Sequence, residues 1–300
     1  MTGRLYLHIG PPKTATTAFQ YALQDGIPGL LVYGGVRQPR SSEKSELSYR
    51  LHRLCARFRG NVSAEIKDVR ETIAATLAKG TSLLISEELF LVDGRSASFQ
   101  KKIVRLGQVV GPLRPTIIVC ARDPRDGLPS LYQELYRNLP IGQKLSFKRF
   151  VRSNQAEIFD YLGLIRLLTQ ADFQNIRVIA FERLVAGALT FSDMFDSRLG
   201  SKEKLVVPRT NVGSYDRAKN LRVLKPLELR DVFVFRRFLS KIVPKRLRQN
   251  SIIEKFGEIL GGVPLTRSRA KCLVLPDAMA NRFREGYLAV VSGKSDLNRE

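Results

Sequence analysis

Residues 4–20 read Arg4-Leu-Tyr-Leu-His-Ile-Gly10-Pro-Pro-Lys13-Thr-Ala-Thr-Thr17-Ala-Phe-Gln20. An apolar run ends at Gly10, a lysine follows three residues later, and hydroxyl side chains lead into a helical pattern. This layout predicts a strand, a tight loop and a helix whose first N–H groups face an anion, because helix N-termini present unpaired donors and a positive dipole end. The residues predicted to bind a phosphorylated small molecule are Gly10, Pro12, Lys13, Thr14, Ala15, Thr16 and Thr17.

The spacing within this loop excludes a Walker A motif, which needs four residues between its first glycine and a Gly-Lys-Ser/Thr sequence. Only two residues separate Gly10 from Lys13, and Pro12 precedes the lysine. The loop instead resembles the 5′-phosphosulfate loop of sulfotransferases, G-x-x-K-[ST]-G-T-T, whose donor is 3′-phosphoadenosine 5′-phosphosulfate (PAPS). Ala15 stands where that family usually has glycine, and alanine there predicts ordinary right-handed backbone angles.

A second motif follows a predicted strand over residues 116–121, which are rich in β-branched side chains. Arg122 comes next, and Asp123 with Pro124 is typical of a helix start. Ser130 then lies on the predicted helix. This pattern resembles the 3′-phosphate motif of the same family, in which an arginine at a strand end and a serine on the next helix hold one phosphate. An arginine suits this role because its guanidinium can direct two donors at the same phosphate.

Weaker similarities extend the resemblance over residues 4–215, and faintly over a C-terminal helix near 277–290. Ser86-Glu87-Glu88 looks like the family's Ser-x-Glu strand end, and Phe181-Glu-Arg-Leu184 resembles the segment after its late strand. The match implies that Arg209 contacts the 3′-phosphate, and that Asn211 and Ser214 lie in a loop over the donor.

The resemblance implies transfer of a sulfuryl group from PAPS, as co-substrate, to a hydroxyl or amine of an acceptor. Lys13 is the implied catalytic cation, since it can stabilise charge on the leaving phosphate. Glu88 is the first candidate for the general base and Glu87 the second. Each glutamate has an alternative role as a helix cap or a partner for arginine. No metal is expected.

Strands alternate with helices along the chain, which predicts an α/β protein with a parallel sheet covered on both faces. The resemblance narrows this to a three-layer αβα, P-loop NTPase-like sulfotransferase fold. The predicted strands are 4–10, 82–86, 116–121 and 176–181, with an apolar run over 29–36. The predicted helices are 15–25, 47–59, 63–79, 96–110, 124–137 and 155–171. Binding groups are expected at the carboxyl ends of the strands.

The length of 300 residues fits one domain, with its core over 4–215, a basic helical segment over 216–250 and a helical part over 251–300. The net charge of +22 predicts attraction to polyanions and favours an anionic glycan or glycolipid acceptor. Three interpretations of 216–250 stay open: a surface helix that buries its Phe and Leu residues, an acceptor-binding lid, or a peripheral contact with an anionic membrane.

Three widely spaced cysteines predict a reducing compartment, and no run of about 18 apolar residues predicts a membrane span. The predicted location is the cytoplasm, with the inner face of the membrane as a peripheral alternative. Only two histidines are present, and His8 is predicted to pack within the first strand. The alternative functions are a P-loop-type nucleotide kinase and a nonenzymatic polyanion- or nucleic-acid-binding protein, although no specific nucleic-acid module is recognisable.

Overall fold

The computed structural model describes residues 2–27, 29–38, 47–57, 62–94, 96–196, 205, 221–224 and 269–293. They fall into two units. The first unit comprises Met1–Gly127, Asn154–Val212 and Asp277–Glu300, and the second comprises Leu128–Ser153 and Gly213–Pro276. The predicted ligand Arg209, the loop residues Asn211 and Ser214, and most of the basic segment 216–250 lie outside the described residues.

The first unit is built on a five-stranded parallel sheet in the order β2-β3-β1-β4-β5. Its strands are β1 (Leu5–His8), β2 (Leu31–Tyr33), β3 (Ser82–Ser86), β4 (Thr116–Ala121) and β5 (Asn175–Ala180). Every residue of β1, β3 and β4 is buried, as expected for strands covered on both faces. The predicted α/β class and the bounds of strands 82–86 and 116–121 are confirmed.

Helices flank this sheet, consistent with a three-layer α/β architecture. The helices of the first unit are α1 (Thr16–Leu23), α2 (Leu47–Ala56), α3 (Ser63–Ala78), α4 (Phe99–Val110), α8 (Tyr161–Gln170), α9 (Phe181–Val185), α10 (Phe191–Met194) and α11 (Asp277–Val291), and α5 (Pro124–Leu135) begins in this unit. The predicted helix 155–171 begins only at Tyr161, because the Asp160 side chain accepts a hydrogen bond from the Gly163 N–H (3.1 Å) and caps the helix there.

The strand register places the carboxyl ends of the strands, which the predicted binding residues follow, side by side. His8 of β1 lies opposite Ser86 of β3 and Ile118 of β4, and Ala121 of β4 lies opposite Ala180 of β5. After β1 the chain continues to β2, on one side of β1 in the sheet. After β4 it continues to β5, on the other side. Such a reversal of direction marks the crevice in which open parallel sheets bind ligands.

The second unit contains α5 from Leu128 onward, α6 (Ile141–Leu145) and α7 (Phe147–Val151). It also contains an antiparallel pair, β6 (Leu221–Leu224) and β7 (Arg269–Cys272). Tyr132 packs its ring at 5.1 Å from the rings of Phe147 and Phe150, measured between centroids. Its hydroxyl donates to the carbonyl of Lys144 (2.8 Å), so α5 and α6 are joined by a buried polar contact as well as by packing.

Within the described ranges, none of the helices combines the length and the apolar character that a membrane crossing requires.

Candidate anion-binding site

Residues 10–17, which comprise the loop after β1 and the first two residues of α1, form the segment that we name the anion loop. Two of its residues that are not glycine have left-handed backbone conformations, Lys13 with φ 71° and Ala15 with φ 61°. The prediction of right-handed angles at Ala15 is therefore wrong. Alternation of left-handed and right-handed residues turns successive N–H groups toward one side of the backbone, which forms the concave anion-binding arrangement called a nest.

Ala15 keeps this conformation because the loop is held from several directions. Its carbonyl accepts the first helical hydrogen bond, from the Phe19 N–H (2.9 Å). The Thr14 hydroxyl donates to the Pro11 carbonyl (2.6 Å), and Arg122 Nη1 donates to the Lys13 carbonyl (2.8 Å). Together these bonds outweigh the steric cost of a left-handed alanine, which is about 1 to 2 kcal/mol. An alanine side chain also cannot cap α1, so an anion would meet the N–H groups of its first turn.

Polar side-chain atoms converge beside Gly10. A Cβ placed on this glycine would lie 2.8 Å from Thr16 Oγ1, 2.9 Å from Thr14 Oγ1 and 3.2 Å from His8 Nε2. A side chain at position 10 would therefore clash with these atoms, which explains the glycine. Thr16 Oγ1 and His8 Nε2 are buried and have no hydrogen-bond partner among the residues that the structure describes. Buried polar atoms of this kind fit a site that receives hydrogen-bonding oxygens from a ligand.

His8 packs within β1 as predicted, and its side chain is only 1% exposed. Burial lowers its pKa to about 3, so the ring is neutral at pH 7. Its Nδ1 lies 2.8 Å from Ser86 Oγ on the neighbouring strand. The sequence offered one signal for a functional histidine: His8 is a polar ring in an otherwise apolar strand, two residues before Gly10.

Arg122 joins the second predicted motif to the anion loop. Besides its bond to the Lys13 carbonyl, its guanidinium carbon lies 4.5 Å from the centroid of the Phe181 ring, a cation–π contact. The buried Tyr161 hydroxyl accepts from the Arg122 N–H (2.8 Å) and donates to the Arg122 carbonyl (3.1 Å). Backbone and side chain of Arg122 are thus both fixed at the end of β4. Sequence reasoning missed Tyr161, which lies 39 residues further along the chain.

The start of α5 has the predicted cap. The Asp123 carboxylate accepts from the Arg125 N–H (2.9 Å) and forms an ion pair with the Arg125 side chain (2.5 Å). Glu182 of α9 accepts from the Asp123 N–H (3.3 Å) and from the Tyr287 hydroxyl of α11 (2.6 Å). The segment 181–184 therefore supplies both the ring beside Arg122 and a carboxylate that ties the start of α5 to the C-terminal helix.

The two candidate bases differ in their surroundings. Glu87 is 2% exposed, and its carboxylate accepts from the Leu89 N–H (2.9 Å), so it caps the 3₁₀ helix Glu88–Leu91. At the other end, the buried Lys102 ammonium donates to the carbonyls of Leu89 and Val92. Glu88 is half-buried and opens this short helix. The alternative role of a helix cap thus applies to Glu87, and Glu88 is the better candidate base.

The remaining predicted ligand, Ser130, is buried on α5 and belongs to the second unit. Two open clefts of about 280 and 320 Å³ lie near the amino ends of the strands, and Arg114 and Asn175 line both of them. They do not include the anion loop. We assign the candidate site to the loop, because recognition of an anion depends on directed donors more than on enclosed volume.

No protein-family model matches this chain, and a search of curated proteins finds no similar sequence. The class of protein to which the chain belongs must therefore be argued from the fold and the anion loop.

Proposed function

We propose that this protein is a PAPS-dependent sulfotransferase with the three-layer, P-loop-like fold of that family. The observation that carries the proposal is the hydrogen bond from Arg122 Nη1 to the Lys13 carbonyl (2.8 Å). It brings together two motifs that lie 109 residues apart in the chain, and each resembles the motif for a different phosphate of the same donor.

The anion loop fits the 5′-phosphosulfate end of PAPS. The left-handed Lys13 and Ala15, the uncapped start of α1 and the buried Thr16 hydroxyl all suit a bound oxyanion. Arg122 would hold the 3′-phosphate. Ser130 and Arg209 are its further predicted ligands, and they rest on the sequence motif alone.

The residues of this chain then have distinct tasks, and PAPS, when bound, supplies the sulfuryl group. Lys13 provides a positive charge where charge develops on the leaving phosphate oxygen, an interaction typical of preorganised catalytic sites. Glu88 takes the proton from the acceptor hydroxyl or amine. Glu87 and Lys102 keep the 3₁₀ helix rigid, and so hold Glu88 at the end of β3.

The net charge of +22 supports an anionic glycan or glycolipid as the acceptor. We propose a cytoplasmic location, with the inner membrane face as the site of any peripheral contact. The kinase alternative has less support, because the Gly10–Lys13 spacing differs from a Walker A motif and Asp123 serves as a helix cap.

The proposal is tested with PAPS labelled in its sulfuryl group and, in parallel, ATP labelled in its γ-phosphate, each offered with a panel of anionic glycans and glycolipids. We expect the sulfuryl label to enter an acceptor, and Lys13→Ala to reduce this rate by about 100- to 1000-fold. The matched control is Lys148→Ala, an exposed lysine of α7. Transfer of the phosphate label alone would favour the kinase.

A further inference from the structure

His8 is the buried group of the site that the proposed reaction leaves without a role. It is the last residue of β1, and its ring lies 4.1 Å from the Phe19 ring of α1, measured between centroids. One ring nitrogen, Nδ1, contacts Ser86 Oγ at 2.8 Å. The other, Nε2, is buried without a partner in the described part of the chain. A buried nitrogen in this state calls for an explanation, because most such groups in proteins are hydrogen-bonded.

The hydrogen bonds around Ser86 allow His8 to accept at Nδ1 and to carry its proton at Nε2. Gln20 Oε1 accepts from Gln38 Nε2 (2.6 Å), so Gln20 Nε2 is the end of the amide that faces Ser86. That nitrogen lies 3.3 Å from Ser86 Oγ and donates to it. Ser86 Oγ still has its own proton and one lone pair, and we take this proton to be donated to His8 Nδ1, 2.8 Å away. A neutral imidazole that accepts at Nδ1 carries its proton at Nε2.

His8 Nε2 lies against Gly10 of the anion loop. His8 Nε2 and Thr16 Oγ1 lie within 3.2 Å and 2.8 Å of the point where a Gly10 side chain would begin. Neither has a partner among the described residues, and their side chains are only 1% and 3% exposed. His8 Nε2 and Thr16 Oγ1 thus pack against the same side of Gly10, one from a strand and the other from a helix.

We propose that His8 is a binding residue of the anion loop, whose Nε2–H donates to the bound anion together with the Thr16 hydroxyl. The inference rests on the proposed function in taking the anion to be the 5′-phosphosulfate end of PAPS. Lys13 supplies positive charge, whereas His8, at the end of β1, supplies a directed, uncharged hydrogen-bond donor. In this tautomer His8 does not act as a base, because Nδ1 accepts from Ser86 and Nε2 holds the proton.

Two amide substitutions distinguish the role of His8 Nε2 from that of His8 Nδ1. A glutamine amide reaches about the position of Nε2, and an asparagine amide reaches about that of Nδ1. His8→Gln thus keeps a donor to the anion, and His8→Asn keeps only the contact with Ser86. Calorimetric titration with 3′,5′-ADP should show His8→Asn binding about 10- to 100-fold more weakly than wild type, since the lost hydrogen bond is to a charged group. His8→Gln should stay within about threefold of wild type.

The direct measurement is the ¹⁵N resonance of the His8 ring, which is easy to assign because the chain has only two histidines. A His52→Gln variant assigns it. In wild type we expect the Nε2–H tautomer at pH 7, and a shift of the Nε2 signal when inorganic phosphate or 3′,5′-ADP is added. A histidine that only supports the fold would keep its Nε2 signal unchanged under both additions.

The outcomes separate this inference from the proposed function. If wild type binds 3′,5′-ADP and His8→Asn binds it equally well, the role of His8 is overturned and the sulfotransferase proposal survives. If 3′,5′-ADP does not bind but phosphate shifts the Nε2 signal, His8 is an anion ligand and the proposed function is wrong. If neither probe binds, both are overturned.

Discussion

Ala15 begins α1 with a left-handed backbone, φ 61° and ψ 24°. Ala15→Gly should relieve the steric strain and raise the free energy of unfolding by about 1 kcal/mol, measured by urea denaturation. Ala22→Gly, within the same helix, is the matched control. It should lower the free energy of unfolding by about 1 kcal/mol, because glycine is disfavoured in helix interiors. If both substitutions change the free energy of unfolding in the same direction, Ala15 does not have the left-handed backbone that the structure shows.

His8 gives a pH dependence of stability. Its pKa is about 3 in the folded protein and near 6.5 in the unfolded chain, so the unfolded state binds more protons between these values. The stabilisation is complete above pH 6.5 and is lost as the pH falls toward 3. Between pH 7 and 5, wild type should lose about 2 kcal/mol more than His8→Gln in urea unfolding. His52→Gln should follow wild type, and equal losses in wild type and His8→Gln would show that His8 is not buried neutral.

Among individual residues, the sequence pointed to the anion loop and Arg122, because their residue types and spacing are those expected of a phosphate-binding site. It could not predict the backbone of Ala15, which local preference opposes and which the distant Arg122 helps to hold. The environment of His8 was equally hidden, since a strand pattern does not tell which atoms a side chain will face.

Two glutamates stand at the start of the 3₁₀ helix Glu88–Leu91: Glu87, which caps it, and Glu88, the proposed base. Glu87→Ala should lower the free energy of unfolding by about 1 kcal/mol through loss of the cap on the Leu89 N–H. Glu88→Gln should leave that free energy within about 0.5 kcal/mol of wild type, while sulfuryl transfer slows by about 100-fold or more. Unfolding curves and labelled PAPS measure the two effects. If Glu87→Ala slows sulfuryl transfer without lowering the free energy of unfolding, and Glu88→Gln leaves the transfer rate unchanged, Glu87 and not Glu88 is the base.

Among the elements, the buried strands were the most predictable. The runs 82–86 and 116–121 are apolar throughout, and both match the structure residue for residue. Helix ends were less predictable, because they depend on individual caps. Asp160 starts α8 several residues later than the periodicity of the apolar residues indicates. The order of the strands followed only from the structure.

For the whole molecule, the charge of +22 predicts adhesion to polyanions that differs from binding at the site. Affinity for random duplex DNA should fall by about 1000-fold or more between 50 and 200 mM salt if the protein contacts six to ten phosphates. Binding of 3′,5′-ADP should weaken far less, because few phosphates and directed hydrogen bonds are involved. Fluorescence titrations over this salt range measure both. DNA binding that stays tight at high salt would favour a nucleic-acid function.

Under the proposed function, this protein recognises both phosphates of the PAPS nucleotide. Calorimetric titration with 3′,5′-ADP, 5′-AMP and ATP tests it most directly, with Arg122→Ala beside the control Arg125→Ala, whose side chain pairs with Asp123. We predict that 3′,5′-ADP binds at least about tenfold more tightly than 5′-AMP, and that Arg122→Ala alone removes this preference. Equal affinity of wild type for the three nucleotides, or no binding of any, would contradict the account.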